Sequence, residues 1–159
     1  VAQFDRSWLL RHAGRVVGPA PDLPPETEEE AQAAVVRWAD GTPLPPGTGA
    51  PGARLGDYLL HVPNGGVQFR KTAGRMKAAG RRAGVPDLLL LLPVPPYAGC
   101  AVEMKRETGG TVRPAQRIWL ARLAAAGYAA CVCRGRDAAQ DALSAYVRSA
   151  DLTPHLFTP

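Results

Sequence analysis

Five consecutive leucines, Leu88 to Leu92, stand directly after Asp87 and run into the turn sequence PVPPY, after which a second apolar run, GCAVEMK, begins at Gly99. A short apolar run bounded by turn residues reads as a strand buried on both faces. Two such runs joined through prolines near residue 95 predict a β-hairpin. Its open end carries charge: Asp87 at the mouth of the first strand, Glu103 and Lys105 at the end of the second. Ionised groups beside a core are costly unless paired, hydrogen-bonded or bound to a metal. These three residues are therefore where chemistry is to be sought.

Asp87 and Glu103 are equidistant from the turn, so a simple antiparallel register sets them opposite each other. A bulge or a slip of register would separate them. Side chains alternate along a strand, so Glu103 and Lys105 share one side while Val102 and Met104 point into the core. The expectation is two carboxylates and an ammonium at one open edge of a sheet. Clustered carboxylates repel unless a proton or cation intervenes, and hard oxygen donors suit Mg²⁺ or Mn²⁺. An ion held there can polarise a phosphate oxygen and activate water, with a nearby lysine orienting that water or offsetting charge. Spacing alone leaves a second reading open: a rim ion pair between Glu103 and Lys105, with Asp87 capping a turn after Pro86.

The rest of the chain supplies a frame for this hairpin. At 159 residues it fits one domain able to bury a core. No apolar run approaches the roughly 20 residues needed to span a bilayer, and the first residues lack the basic-then-apolar order of a signal peptide. Three cysteines with one Cys-x-Cys do not make a disulfide framework. A cytoplasmic protein without a membrane partner is the expectation. Residues 1–26, which include the proline-rich PAPDLPP, read as an N-terminal extension, residues 27–150 as the domain and 151–159 as a tail. Thr27 with Glu30 forms a capping-box pattern, and Ala31, Val35 and Trp38 recur at helical spacing, which predicts a helix over 27–40. GTPLPPGTGAPGARLG reads as a long exposed loop, DYLLHV as a strand, and TAGRMKAAGRR as a helix stopped by Gly80 or Gly84. Pro114 opens a helix that offers Ile118, Leu120, Leu123 and Ala124 to the core. YAACVC is a further strand, and a last helix starts at Asp137. The order is that of an α/β layer protein.

The formal charge of +5 is unevenly placed. Arg70, Lys71, Arg75, Lys77, Arg81 and Arg82 fall in a stretch with no acid, whereas Glu26 to Glu30 holds four acids. Such a basic stripe is the footprint of a polyanion partner, or else a solvated helix face. Cys100, Cys131 and Cys133 lack a histidine at ligand spacing and read as small core residues. His61 reads as a structural histidine, and Trp38 and Trp119 as core.

Asp87 with Glu103-Met104-Lys105 matches the PD-(D/E)XK nuclease signature, and Pro86-Asp87 supplies its "PD". The chain more specifically resembles a stand-alone VRR-NUC domain of phage and bacterial type. The resemblance rests on Pro63-Asn64-Gly65-Gly66, Ala73-Gly74-Arg75-Met76-Lys77 and Gly84-Val85-Pro86-Asp87. It continues through Glu103-Met104-Lys105, Gly109-Gly110, Pro114-x-Gln116, Trp119-Leu120 and Gly127-Tyr128. It covers about residues 27 to 148.

This resemblance implies a restriction-endonuclease-like core, a central mixed sheet of about four strands flanked by helices. It implies a metal-dependent endonuclease acting on DNA, branched DNA or Holliday junctions above all, as a homodimer and with no organic cofactor. Asp87 and Glu103 then resemble the metal-binding carboxylates, with the Met104 backbone carbonyl as a further ligand and Mg²⁺ or Mn²⁺ as the ion. Lys105 resembles the catalytic lysine and Gln116 the glutamine that supports the site. Glu28 matches the acidic residue of the family's first helix, with Glu29 and Glu30 as competing choices. Asn64, Arg70, Lys71, Arg75, Lys77, Arg81, Arg82 and Arg113 are the candidates for DNA contacts. Arg113 departs from the Ser or Thr usual before the helix proline, which removes a side-chain cap worth about 1 kcal/mol. The alternatives are a restriction-like or nonspecific endonuclease of the same superfamily, and a DNA-binding module with little cleavage.

Overall fold

The computed structural model describes residues 25–63, 73–78 and 80–148. The first helix, α1 (Glu28–Gly41), starts where the sequence predicts. The Thr27 hydroxyl accepts the Glu30 N–H, and the Glu30 carboxylate accepts the Thr27 N–H at 2.8 Å. Ala31, Val35 and Ala39, four residues apart, form the buried stripe of this helix.

The proline-rich segment after α1 is more ordered in its contacts than a free loop. Pro43 and Arg54 form a β-bridge, the Tyr58 hydroxyl accepts the Ala50 N–H, and Leu55 is fully buried. The strand expected over 57–62 is shorter, because Leu55–Tyr58 is a 3-10 turn held by Asp57, whose carboxylate accepts the Arg54 N–H at 2.7 Å. Only Leu59–His61 remains as β1. The next helix, α2 (Ala73–Ala78), is a short piece of the predicted one, ending ahead of Gly80 with its positive φ of 97°.

Strands β2 (Leu88–Leu90), β3 (Cys100–Lys105) and β4 (Ala129–Arg134) complete a four-stranded sheet in the order β1-β2-β3-β4. β1, β2 and β3 pair antiparallel, whereas β3 and β4 are parallel. The parallel pair is bridged by α3 (Pro114–Ala125), since strands running the same way need a long crossover. The chain closes with α4 (Gly135–Val147), which begins two residues before the predicted Asp137. This mixed four-stranded sheet flanked by helices is the architecture the sequence predicts.

Two cores lie on opposite faces of the sheet. α1 and α4 cover one face, where Val35, Leu88, Leu90, Val102, Met104, Leu143 and Tyr146 meet. The Tyr146 hydroxyl donates to the Leu92 carbonyl at 2.7 Å, which ties α4 to the end of the leucine run. Cys100, Cys131 and Cys133 are free thiols buried in this core, as their sequence context predicts. α3 covers the other face, packing Leu120 on Ala101 and Ala130, two small residues that let the helix come close.

The leucine run is not buried on both faces. Leu88, Leu90 and Leu92 are buried, Leu89 is partly covered, and Leu91 is 48% exposed, because α3 lies over β3 and β4 rather than over β1 and β2. Ile118 is likewise 50% exposed rather than in the core. Trp38 packs against the main core, but Trp119, on α3, is only partly buried. Among the described residues no helix is long and apolar enough to cross a membrane.

Candidate metal centre

The register places the acidic pair as the symmetric hairpin predicts. Leu88 pairs with Val102 and Leu89 with Ala101, so one step outward Asp87 faces Glu103. The ladder itself stops at Leu88, and the Asp87 side chain takes over from it: one carboxylate oxygen accepts the Met104 N–H at 2.9 Å. The Asp87 carbonyl accepts the Val62 N–H at 2.8 Å, which fixes the residue from the β1 side as well. Asp87 is therefore held by its neighbours on both sides.

Alternation puts Ala101, Glu103 and Lys105 on the α3 face of β3. The edge there is not open. Glu103 is 0% exposed and Lys105 only 4%: Gln116 in the first turn of α3 reaches Glu103, and Glu28 and Gly110 lie beside the Lys105 side chain. The solvated-rim ion pair is thereby replaced by a buried one, with Lys105 Nζ 2.6 Å from Glu103 Oε1. The same ammonium donates to the Met104 carbonyl at 2.6 Å and reaches Glu28 Oε1 at 3.4 Å.

Gln116 joins the site from the start of α3. Its amide nitrogen donates to Glu103 Oε1 in a short hydrogen bond, while its oxygen accepts the Arg113 N–H at 2.8 Å. Gln116 thus compensates for the cap that Arg113 does not provide: no hydrogen bond from the Arg113 side chain closes the helix end. One residue both satisfies the helix terminus and fixes the carboxylate.

Among the three adjacent glutamates of α1, geometry selects Glu28. Glu30 is committed to the Thr27 cap and Glu29 is exposed, whereas a Glu28 oxygen lies with oxygens of Asp87 and Glu103 within 4.8 Å of one another. The second Glu103 oxygen, Oε2, is buried with no hydrogen-bond partner among the described residues. An orphaned buried carboxylate oxygen is a costly feature that a cation would satisfy. Three hard carboxylate oxygens and a strand-end carbonyl are a donor set suited to a hard divalent ion.

Burial pushes the Glu103 carboxyl up to about 7 from an ordinary 4.5, against the lowering effect of the Lys105 ammonium; the nearby Asp87 charge adds to the rise. A raised carboxyl holds its proton in the folded chain over a range where the unfolded chain has lost it. In EDTA, the contribution of Glu103 to stability is therefore full below about pH 4.5 and is lost as pH rises through about 7, with a slope of at most about 1.4 kcal/mol per pH unit. Denaturant titrations across that window should show the decline in wild type and a flatter profile in Glu103→Gln. Identical slopes in the two proteins would refute the assignment.

The loop entering β2 is locked onto α3 by contacts that sequence reasoning did not single out. Trp119 Nε1 donates to the Ala83 carbonyl at 3.1 Å, and Gly84 lies so close to Ala115 that no side chain fits between them. Arg134, at the end of β4, donates to the Gly109 and Gly110 carbonyls and holds the turn that follows Lys105. Gly84, Gly109, Gly110 and Trp119 belong to the motif blocks, but nothing local in the sequence marks Arg134.

The candidate DNA-contacting residues are more scattered. Arg75 is exposed on α2, which also carries Lys77; Arg82 is exposed and Arg81 partly buried between α2 and β2. Arg113 is exposed at the start of α3, beside the Gln116 contact. Asn64, Arg70 and Lys71 lie outside the described residues. His61 ends β1 and is exposed rather than enclosed as a structural histidine.

A mixed sheet with an aspartate entering one strand and Glu-x-Lys ending the next defines a restriction-endonuclease-like nuclease core. The VRR-NUC domain model matches residues 27–137, more than half of the chain, and the chain belongs to that family. It is a nuclease domain, and so a hydrolase. A solved structure described as a VRR_NUC domain protein superposes with a TM-score of 0.65 and is 29% identical, covering 80% of this chain and 93% of the other. Among curated proteins none matches the sequence.

Proposed function

We propose that the chain is a divalent-metal-dependent endodeoxyribonuclease that hydrolyses phosphodiester bonds in branched DNA, acting as a homodimer. The observation that carries the metal-dependent chemistry is the convergence of Glu28, Asp87 and Glu103 within 4.8 Å, beside the buried Lys105. Asp87, Glu103 and the Met104 carbonyl would hold Mg²⁺ or Mn²⁺, with Glu28 completing the set. The ion would supply Lewis-acid polarisation of the phosphate and activation of water. Within the protein, Gln116 orients Glu103, and Lys105 brings the positive charge that can offset charge building on the phosphate.

DNA as substrate is supported by the exposed Arg75, Arg82 and Arg113, which suit phosphate contacts that position a duplex without reading its sequence. Preference for junctions and a dimeric state rest on the resemblance to stand-alone VRR-NUC domains described above. Selection would then come from backbone shape and from the spacing of two sites.

The test is a cleavage assay on a four-way junction and a matched linear duplex, each with Mg²⁺, Mn²⁺ or EDTA. Faster cutting of the junction with either ion and none in EDTA is the expected result, with loss of cutting in Lys105→Ala. Equal rates on both substrates would leave a restriction-like or nonspecific enzyme. No cleavage with any ion, together with retained binding, would leave a DNA-binding module.

A further inference from the structure

The acceptors grouped around the candidate ion position already have a cation. Lys105 Nζ lies 2.6 Å from Glu103 Oε1, 2.6 Å from the Met104 carbonyl and 3.4 Å from Glu28 Oε1. An ammonium has three N–H donors, and three oxygens of the proposed donor set surround this one. Only Asp87, committed to the Met104 N–H, and the orphaned Glu103 Oε2 stand apart from it. Three ionised carboxylates brought this close would repel one another strongly without a positive charge between them.

We propose that Lys105 is the resident counter-cation of the ion-free site, and that a divalent ion must displace its ammonium from Glu28, Glu103 and the Met104 carbonyl. This rests on the metal-dependent reading above. The physical reason is competition for the same oxygens: Glu103 Oε1 already accepts from both Lys105 and Gln116, and a divalent ion at those atoms would stand in contact with a like charge. The lysine stem runs past Gly110, where an added methyl group would make ordinary contact at 3.4 Å from Lys105 Cδ, and Arg134 holds that turn in place. One side chain thus serves two states, neutralising the acids so that the chain folds without metal and standing free of them once the ion is bound.

Two measurements on the full chain test this, with Mg²⁺ alone as the probe. The sequence has three lysines, Lys71, Lys77 and Lys105, so each can be followed by mass spectrometry after reductive methylation. In EDTA, Lys105 should react at least about tenfold more slowly than in saturating Mg²⁺, since a buried, bonded amine reacts only through local opening. By calorimetry, Lys105→Met should bind Mg²⁺ at least about tenfold more tightly than wild type, the competitor having been removed. Bound Mg²⁺ with Lys105 equally protected in both states would overturn the displacement and leave the metal reading intact. So would equal or weaker Mg²⁺ binding by Lys105→Met. Absence of Mg²⁺ binding by both proteins would overturn the metal reading, and this inference with it.

Discussion

Asp87→Asn is expected to slow single-turnover cleavage of a four-way junction by at least about 10³-fold, without unfolding the chain. The substitution is close to isosteric, and its carbonyl oxygen can still accept the Met104 N–H that the carboxylate accepts at 2.9 Å. The strand end is thereby preserved, and what disappears is one negative charge from the set of three. In EDTA the melting temperature should hold or rise, because the Asp87 charge works against ionisation of Glu103 in the wild-type chain. Cleavage within about tenfold of wild type, at equal Mg²⁺, would remove Asp87 from the proposed ion site; tenfold corresponds to only about 1.4 kcal/mol of barrier. A melting temperature lowered along with the rate would assign the effect to folding instead.

Gly84→Ala is the substitution outside the charged cluster with the largest expected cost. A Cβ at Gly84 would fall 2.6 Å from the Ala115 carbonyl carbon and 2.7 Å from its oxygen, both backbone atoms of α3 that cannot rotate away. The backbone there also has φ of 83°, where an L side chain adds about 1–2 kcal/mol of strain. Overpacking adds about 1–3 kcal/mol, so a fall in melting temperature of roughly 5–15 °C follows. The site should suffer too, because the displaced first turn of α3 carries Gln116 and with it the contact to Glu103. Gly80→Ala is the control: its φ is 97°, but among the described residues nothing lies within 4 Å of the added carbon. Equal melting temperatures for the two variants would show that the close approach to Ala115 has no energetic weight.

Much of this site is legible in the sequence. The hairpin register follows from the symmetry of Asp87 and Glu103 about the proline turn, because two strands joined by a short turn pair residues equidistant from it. The first helix was legible through its cap, since Thr27 and Glu30 act within three residues of each other. The departures at Leu91 and Ile118 have one cause. Whether Leu91 or Ile118 is covered depends on where α3 crosses the sheet, and no local pattern specifies that crossing. Glu28 was not singled out from Glu29 and Glu30 by sequence, because carboxylates at any of these positions suit a helix N-terminus.

The sequence by itself therefore determined the order of elements, the pairing of Asp87 with Glu103 and the family, because these depend on spacing along the chain. Only the tertiary structure decided that Glu103 and Lys105 are buried rather than on a rim. It also brought Glu28 up to Asp87 and Glu103, and set the Lys105 ammonium among the oxygens proposed for an ion. Those outcomes depend on α1 and α3 converging on one strand end from distant parts of the chain. Burial and electrostatic competition are properties of that convergence, and no single stretch of residues contains them.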